Sequence, residues 1–176
     1  ASDRLSSEVG QGMAVHSTTD GSVRWKKSSL KYTGPCILHN DLIITNTNSY
    51  AESAGAFYLL DGSQKMIPNP ITGQMQPWKI TRAYGCNNIV ASENLLTFRS
   101  GAAGYYDLQT NAGTGNLGGF KSGCTSNLVV ANGVLNAPDY TRTCSCAYQN
   151  QTSLALVHMP EVELWSVNTA ASIKTH

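Results

Sequence analysis

The chain has 176 residues, enough for one domain with a core of its own. Charged residues make up 13% of it, where about 25% is usual, and 12 Lys+Arg against 11 Asp+Glu leave a formal net charge of +1. That balance lacks the basic footprint of a nucleic-acid binder, and no apolar run approaches the 18 or so residues that span a bilayer.

In chain order, "ASDRLSSEVGQG" has no charged region leading into an apolar one, so a secretory leader is expected to be absent or already removed. Residues 12–30 read as two outer strands that end around Trp25, with "RWKK" at 24–27 a solvated strand end. Residues 31–83 hold "GPCILHN", "DLIITNTN" and "GAFYLLDG", then a long insertion "SQKMIPNPITGQMQ" and a closing "PWKIT". Residues 84–123 hold "GCNNIVAS", "ENLLTFRS", "AGYYDLQT", a glycine-rich turn and "GGFKSG". Residues 124–169 hold "CTSNLVVAN", "GVLNAPD", a loop "TRTCSCAYQNQT", "SLALVHM" and "VELWSV". Each unit is three strands and then one carrying an aromatic, parted by N-G, D-G or S-G turns. Helical periodicity is nowhere sustained, so the chain reads as all-β.

The aromatics give the repeat. Trp25 is followed by Trp78, Phe120 and Trp165 at steps of 53, 42 and 45 residues. A glycine precedes three of the four, in "DGSVRW", "TGQMQPW" and "TGNLGGF", while "MPEVELW" has Pro160 instead. A step of this length suits propeller blades of four strands each.

"AVHSTTDGSVRW" resembles the A-x-D-x-x-(T/S)-G-x-x-x-W signature of pyrroloquinoline-quinone-type (PQQ-like) β-propeller repeats. Ala14, Gly21 and Trp25 match, with His16 in place of Asp and one residue inserted before the glycine. Gly73 with Trp78 and Gly115 with Phe120 are more degenerate copies. The stretch from "YGCNNIVASENLLTFRSGAAGYYDL" to "CSCAYQNQTSLALVHMPEVELW" resembles the C-terminal propeller part of large exported bacterial proteins. The resemblance implies a partial propeller of about three four-stranded blades plus two N-terminal strands. It also implies that Trp25, Trp78 and Trp165, with Gly21 and Gly73, dock one blade on the next. Such an arc is open, since closed propellers need four to eight blades, so the chain is expected to belong to a longer polypeptide or to close with a protein partner.

Five cysteines occur. C-x2-C and C-x-x-C-H spacings are missing, which excludes the common zinc and haem attachments. Cys86, Cys124, Cys144 and Cys146 each stand beside turn-like residues and read as a disulfide framework of an oxidising, exported compartment. Of their three pairings, Cys144 to Cys146 is the strained one. Cys36 reads as a small buried apolar residue in a strand.

Catalytic constellations are missing from the sequence. The four histidines fall in no H-E-x-x-H, Ser100 and Ser122 in no G-x-S-x-G, and "GTGNLGG" lacks the Lys-Ser/Thr of a phosphate loop. "NQT" at 150–152 is a glycosylation sequon. The family name brings quinone and calcium with it, but calcium wants six to eight oxygens and Asp41, Asp61, Glu93, Asp107, Asp139, Glu161 and Glu163 are scattered. The expected function is therefore a structural or protein-interaction module within a larger exported or cell-surface assembly, with no cofactor. The alternative is a fragment of a quinoprotein oxidoreductase whose active site is completed elsewhere. The candidate surfaces are the insertion at 62–77, with Pro68, Pro70 and Pro77, and the loop at 138–152, whose Tyr140, Arg142 and Tyr148 are residue types common in binding hot spots.

Overall fold

The computed structural model of the chain describes residues 12–123, 127–139 and 150–159. Among them there are sixteen strands and no helix. β1 (Met13–His16) and β2 (Val23–Lys27) form a hairpin. β3 (Thr33–His39), β4 (Leu42–Asn46) and, after the short β5 (Ala51–Glu52), β6 (Ala56–Tyr58) make an antiparallel sheet. β7 (Met66–Pro68) and β8 (Met75–Pro77) are a hairpin within the insertion, and β9 (Thr81–Arg82) returns to pair with β5. β10 (Val90–Ala91), β11 (Leu95–Ser100), β12 (Ala102–Asp107) and β13 (Thr114–Asn116) form a four-stranded antiparallel meander. β14 (Val129–Ala131), β15 (Val134–Ala137) and β16 (Leu154–Val157) form the last sheet, again in chain order.

Three hairpins share one register. Ile37 of β3 lies opposite Ile44 of β4, Val90 of β10 opposite Thr97 of β11, and Val129 of β14 opposite Asn136 of β15. The same two shifts, 53 and then 39 residues, relate both members of each pair. Because successive side chains alternate between faces, equal register puts equivalent residues on equivalent faces of all three sheets.

One turn design also recurs. Ser17 N–H donates to Ser22 O and Gly21 N–H to Ser17 O; the same pair of bonds closes 58–63 and 69–74, with Gly62 and Gly73 at the position of Gly21. The three glycines have φ of +74°, +71° and +71°, the left-handed region that glycine enters without steric penalty. Two of these turns contain Asp-Gly-Ser, and Asp20 and Asp61 accept the serine N–H at 3.0 and 2.8 Å. Those backbone bonds stabilise the ionised form and hold both carboxyls below the usual range. Asp107 is lowered in the same way by Gln109 N–H.

The larger core joins the two central sheets: Leu42, Ile44 and Ala56 pack with Trp78, Ile80, Ile89, Leu96, Phe98 and Tyr106. A smaller one, Ala103, Leu128 and Ala137 with Phe120, Leu135 and Leu154 beside them, joins the meander to the last sheet.

The expected units differ from this in detail. Only β10–β13 is a four-stranded sheet among the described residues; the preceding sheet has three strands and a single bridge from Phe57 to Gln64. Among the described residues, no sheet closes on itself. Trp25 lies within β2, but Trp78 follows β8 and Phe120 lies beyond β13. "GGFKSG" does not extend as a strand because Gly118 and Gly119 both sit at φ +65°. The stretch around Trp165 lies outside the described residues.

Candidate functional site

Two tryptophans cross from one sheet to the next. Trp25 Nε1–H donates to Leu59 O at 2.9 Å, reaching from the first hairpin to the turn after β6. Trp78 Nε1–H donates to Asn111 Oδ1 at 3.0 Å, reaching the turn after β12. The spans are 34 and 33 residues, and the two receiving turns are equivalent. Leu59 N–H bonds Asp41 O as Leu108 N–H bonds Asn94 O, and Gly62 N–H bonds Tyr58 O as Asn111 N–H bonds Asp107 O.

The two seats differ in depth. Trp25 is half-buried and lies flat on Gly62, where an added Cβ would stand 2.6 Å from the indole Cδ2. Trp78 is 0% exposed and meets Tyr106 edge-on at 5.2 Å, with the Lys65 ammonium 5.4 Å over its ring. Burial there also lowers the Lys65 pKa. Asn111 adopts φ +52° to aim its amide, and its oxygen accepts from Tyr106 as well, at 3.4 Å.

Gly21 and Gly73 each hold the positive φ of a tight turn. Neither has an atom within 4 Å of an added Cβ apart from its chain neighbours. Gly62 is the glycine that meets a tryptophan ring. The second copy of Asp-Gly-Ser, at 61–63, was the sequence signal for it.

Arg82 is a second link, and nothing in the sequence pattern marked it. Its side chain is 2% exposed and lies among carbonyls: Nε–H donates to Arg99 O at 2.7 Å, Nη1 to Thr47 O at 3.2 Å and to Asn87 O at 2.9 Å. Nη2 donates to Cys86 O and, at 3.1 Å, to Asn87 Oδ1. All five guanidinium protons thus have acceptors, and the ring of Phe98 lies 5.9 Å away. Desolvation lowers the pKa to about 10, opposed by Cys86 and reinforced by Arg99. The arginine holds the loop after β4, the segment 86–87 and the end of β11 to one another.

Asparagines add a polar ladder across the sheets. Asn46 Nδ2 donates to Asn88 Oδ1 at 2.9 Å, and Asn127 Nδ2 donates to Asn88 O. Asn88 and Asn127 are related by the same 39-residue shift as the hairpins. His39 bridges sheets similarly, its Nε2 3.0 Å from Ser92 O and 3.1 Å from Glu93 O.

A groove of about 810 Å³ opens between the insertion hairpin and the 110–113 turn. Ile67, Pro68, Pro70 and Pro77 form one wall and Tyr106 and Asn111 part of the other. Its rim carries the Lys79–Glu52 ion pair, 3.0 Å long and exposed. These residues offer apolar contact and hydrogen bonding.

Among the described residues, no three His, Cys, Asp or Glu side chains come together to hold a metal ion. Asp41, Asp61 and Glu93 lie in separate turns or bends, and Asp107 ends β12. Among the described residues, the carboxylates that calcium beside a quinone would require are not gathered. Cys86 is half-buried and, among the described residues, bonded to no other cysteine. Cys124, Cys144, Cys146, Tyr140, Arg142, Tyr148 and Trp165 lie outside the described residues. Comparison with known protein families, with characterised proteins and with solved structures finds no match.

Proposed function

We propose that the chain is a segment of a PQQ-like β-propeller, working as a non-catalytic structural and protein-interaction module within a larger exported assembly. The observation that carries this is the repeated tie: Trp25 and Trp78 make the same reach onto equivalent turns of the following sheet. Hairpins of equal register, shifted by fixed steps along the chain, support the same reading. Tandem sheets joined in this way form a rigid frame, and the groove beside the insertion and the loop at 138–152 are the surfaces such a frame offers to a partner. The exported location follows from the resemblance.

Native mass spectrometry of unreduced material purified from its source tests this. The expected result is a mass well above 18.8 kDa, from a longer polypeptide or from a protein complex. A lone monomer of that mass, folded and stable, overturns the proposal.

A further inference from the structure

The equivalence of the three hairpins gives each sheet a face directed at the next one. On the first, Ile44 is 1% exposed and packs in one cluster with Leu96 and Phe98 of the meander. On the second, Thr97 is 2% exposed and its Oγ1–H donates to Leu128 O of the last sheet at 2.8 Å. The third equivalent residue is Asn136, and it is exposed.

Alternation and pairing place Val129, Ala131, Val134, Ala155 and Val157 on the same face as Asn136. Val129 is 44% and Val157 59% exposed. The opposite face, with Leu135, Ala137 and Leu154, is the one packed on the meander. The open face therefore carries five aliphatic side chains and one amide, with no charge. That is the composition of a strand set covered on both sides, as β4 and β11 are here.

We propose that this face is the seat of one further antiparallel β-sheet of the same repeat, carried on the same polypeptide. The inference rests on the propeller-segment reading above and adds the surface and its occupant. The chemistry follows from the two covered faces, against which the following sheet presents Leu96 and Phe98, or Leu128. The occupant should thus present uncharged leucine-like side chains. Its covalent tether is argued from size. Three strands about 4.8 Å apart and four residues long cover only about 200 Å², whereas specific association of separate chains buries more than about 1,000 Å². A tethered sheet needs far less, because linkage supplies an effective concentration in the millimolar range.

The probe is a chain followed in frame by a second copy of itself, compared with the single chain. The expected result is a midpoint of thermal unfolding raised by about 5 °C in the tandem chain. Val129→Lys with Val157→Lys in the first copy should erase that gain, yet shift the single chain by less than about 2 °C. A tandem chain with no gain, or a gain that the lysines leave intact, overturns the proposal. A single chain that sediments as a dimer and is made monomeric by the lysines also overturns it, naming a second copy as the occupant. Trp78→Ala in the single chain keeps the two readings apart: if it leaves the midpoint unchanged, the tie between sheets fails, whereas a large drop with no tandem gain fails this face alone.

Discussion

Trp25 and Trp78 make the same bond over nearly the same span, yet they sit in different surroundings. Trp25 rests half-buried on a glycine, with a backbone carbonyl as acceptor. Trp78 is sealed by Tyr106, Lys65 and the aliphatic core, with a side-chain amide as acceptor. The lesson is that the repeat sets the geometry of the tie, while burial sets its weight: indole surface removed from water stabilises at roughly 25 cal/mol per Å².

The largest effect that breaks this comparison is at the buried seat. Trp78→Ala should cost about 3–5 kcal/mol in urea unfolding, against about 2 kcal/mol for Trp25→Ala at its half-exposed seat. Equal losses would show that burial does not rank the ties. Arg82→Met comes next, at about 3 kcal/mol, since it leaves the carbonyls of Thr47, Cys86, Asn87 and Arg99 without their common donor.

Glycines sharpen the contrast at the shallow seat. Gly62→Ala adds a clash with the Trp25 ring to the cost of a positive φ and should destabilise by about 2–4 kcal/mol. Gly73→Ala has the same φ and open space around it, so only the backbone part, about 1–2 kcal/mol, is expected. A loss at Gly73 as large as at Gly62 would remove the tryptophan from the explanation.

Acid gives the smallest effect. Asp20, Asp61 and Asp107 have folded pKa values below the unfolded one near 3.8. The unfolded chain therefore binds protons first, and stability present above about pH 4 declines as pH falls below it. Replacing all three with Asn should flatten that decline in a pH series of midpoints, and an unchanged slope would assign acid sensitivity elsewhere.

The all-β character was legible because it rests on local signals, alternating apolar residues and glycine turns. The second Asp-Gly-Ser and the paired "NNIVASEN" and "SNLVVANG" were there to be read as well, and they mark Gly62 and the asparagine ladder. Arg82 was not legible. Four of its five acceptors are main-chain carbonyls, drawn from three separate places in the chain, and a carbonyl has no identity in a sequence. The positions of Trp78 and Phe120 just past their strands escaped for a related reason: the aromatic step gives the spacing of the rings but not where the backbone stops pairing.

The bond between Trp78 and Asn111 is the most direct measure of the tie between sheets. A double-mutant cycle measures it, with Trp78→Phe to remove the N–H while keeping a ring and Asn111→Gly to remove the acceptor while allowing the positive φ. The expected coupling is about 1 kcal/mol in urea unfolding. Additive losses with no coupling would contradict a specific tie between the sheets and leave only two neighbours in a shared core.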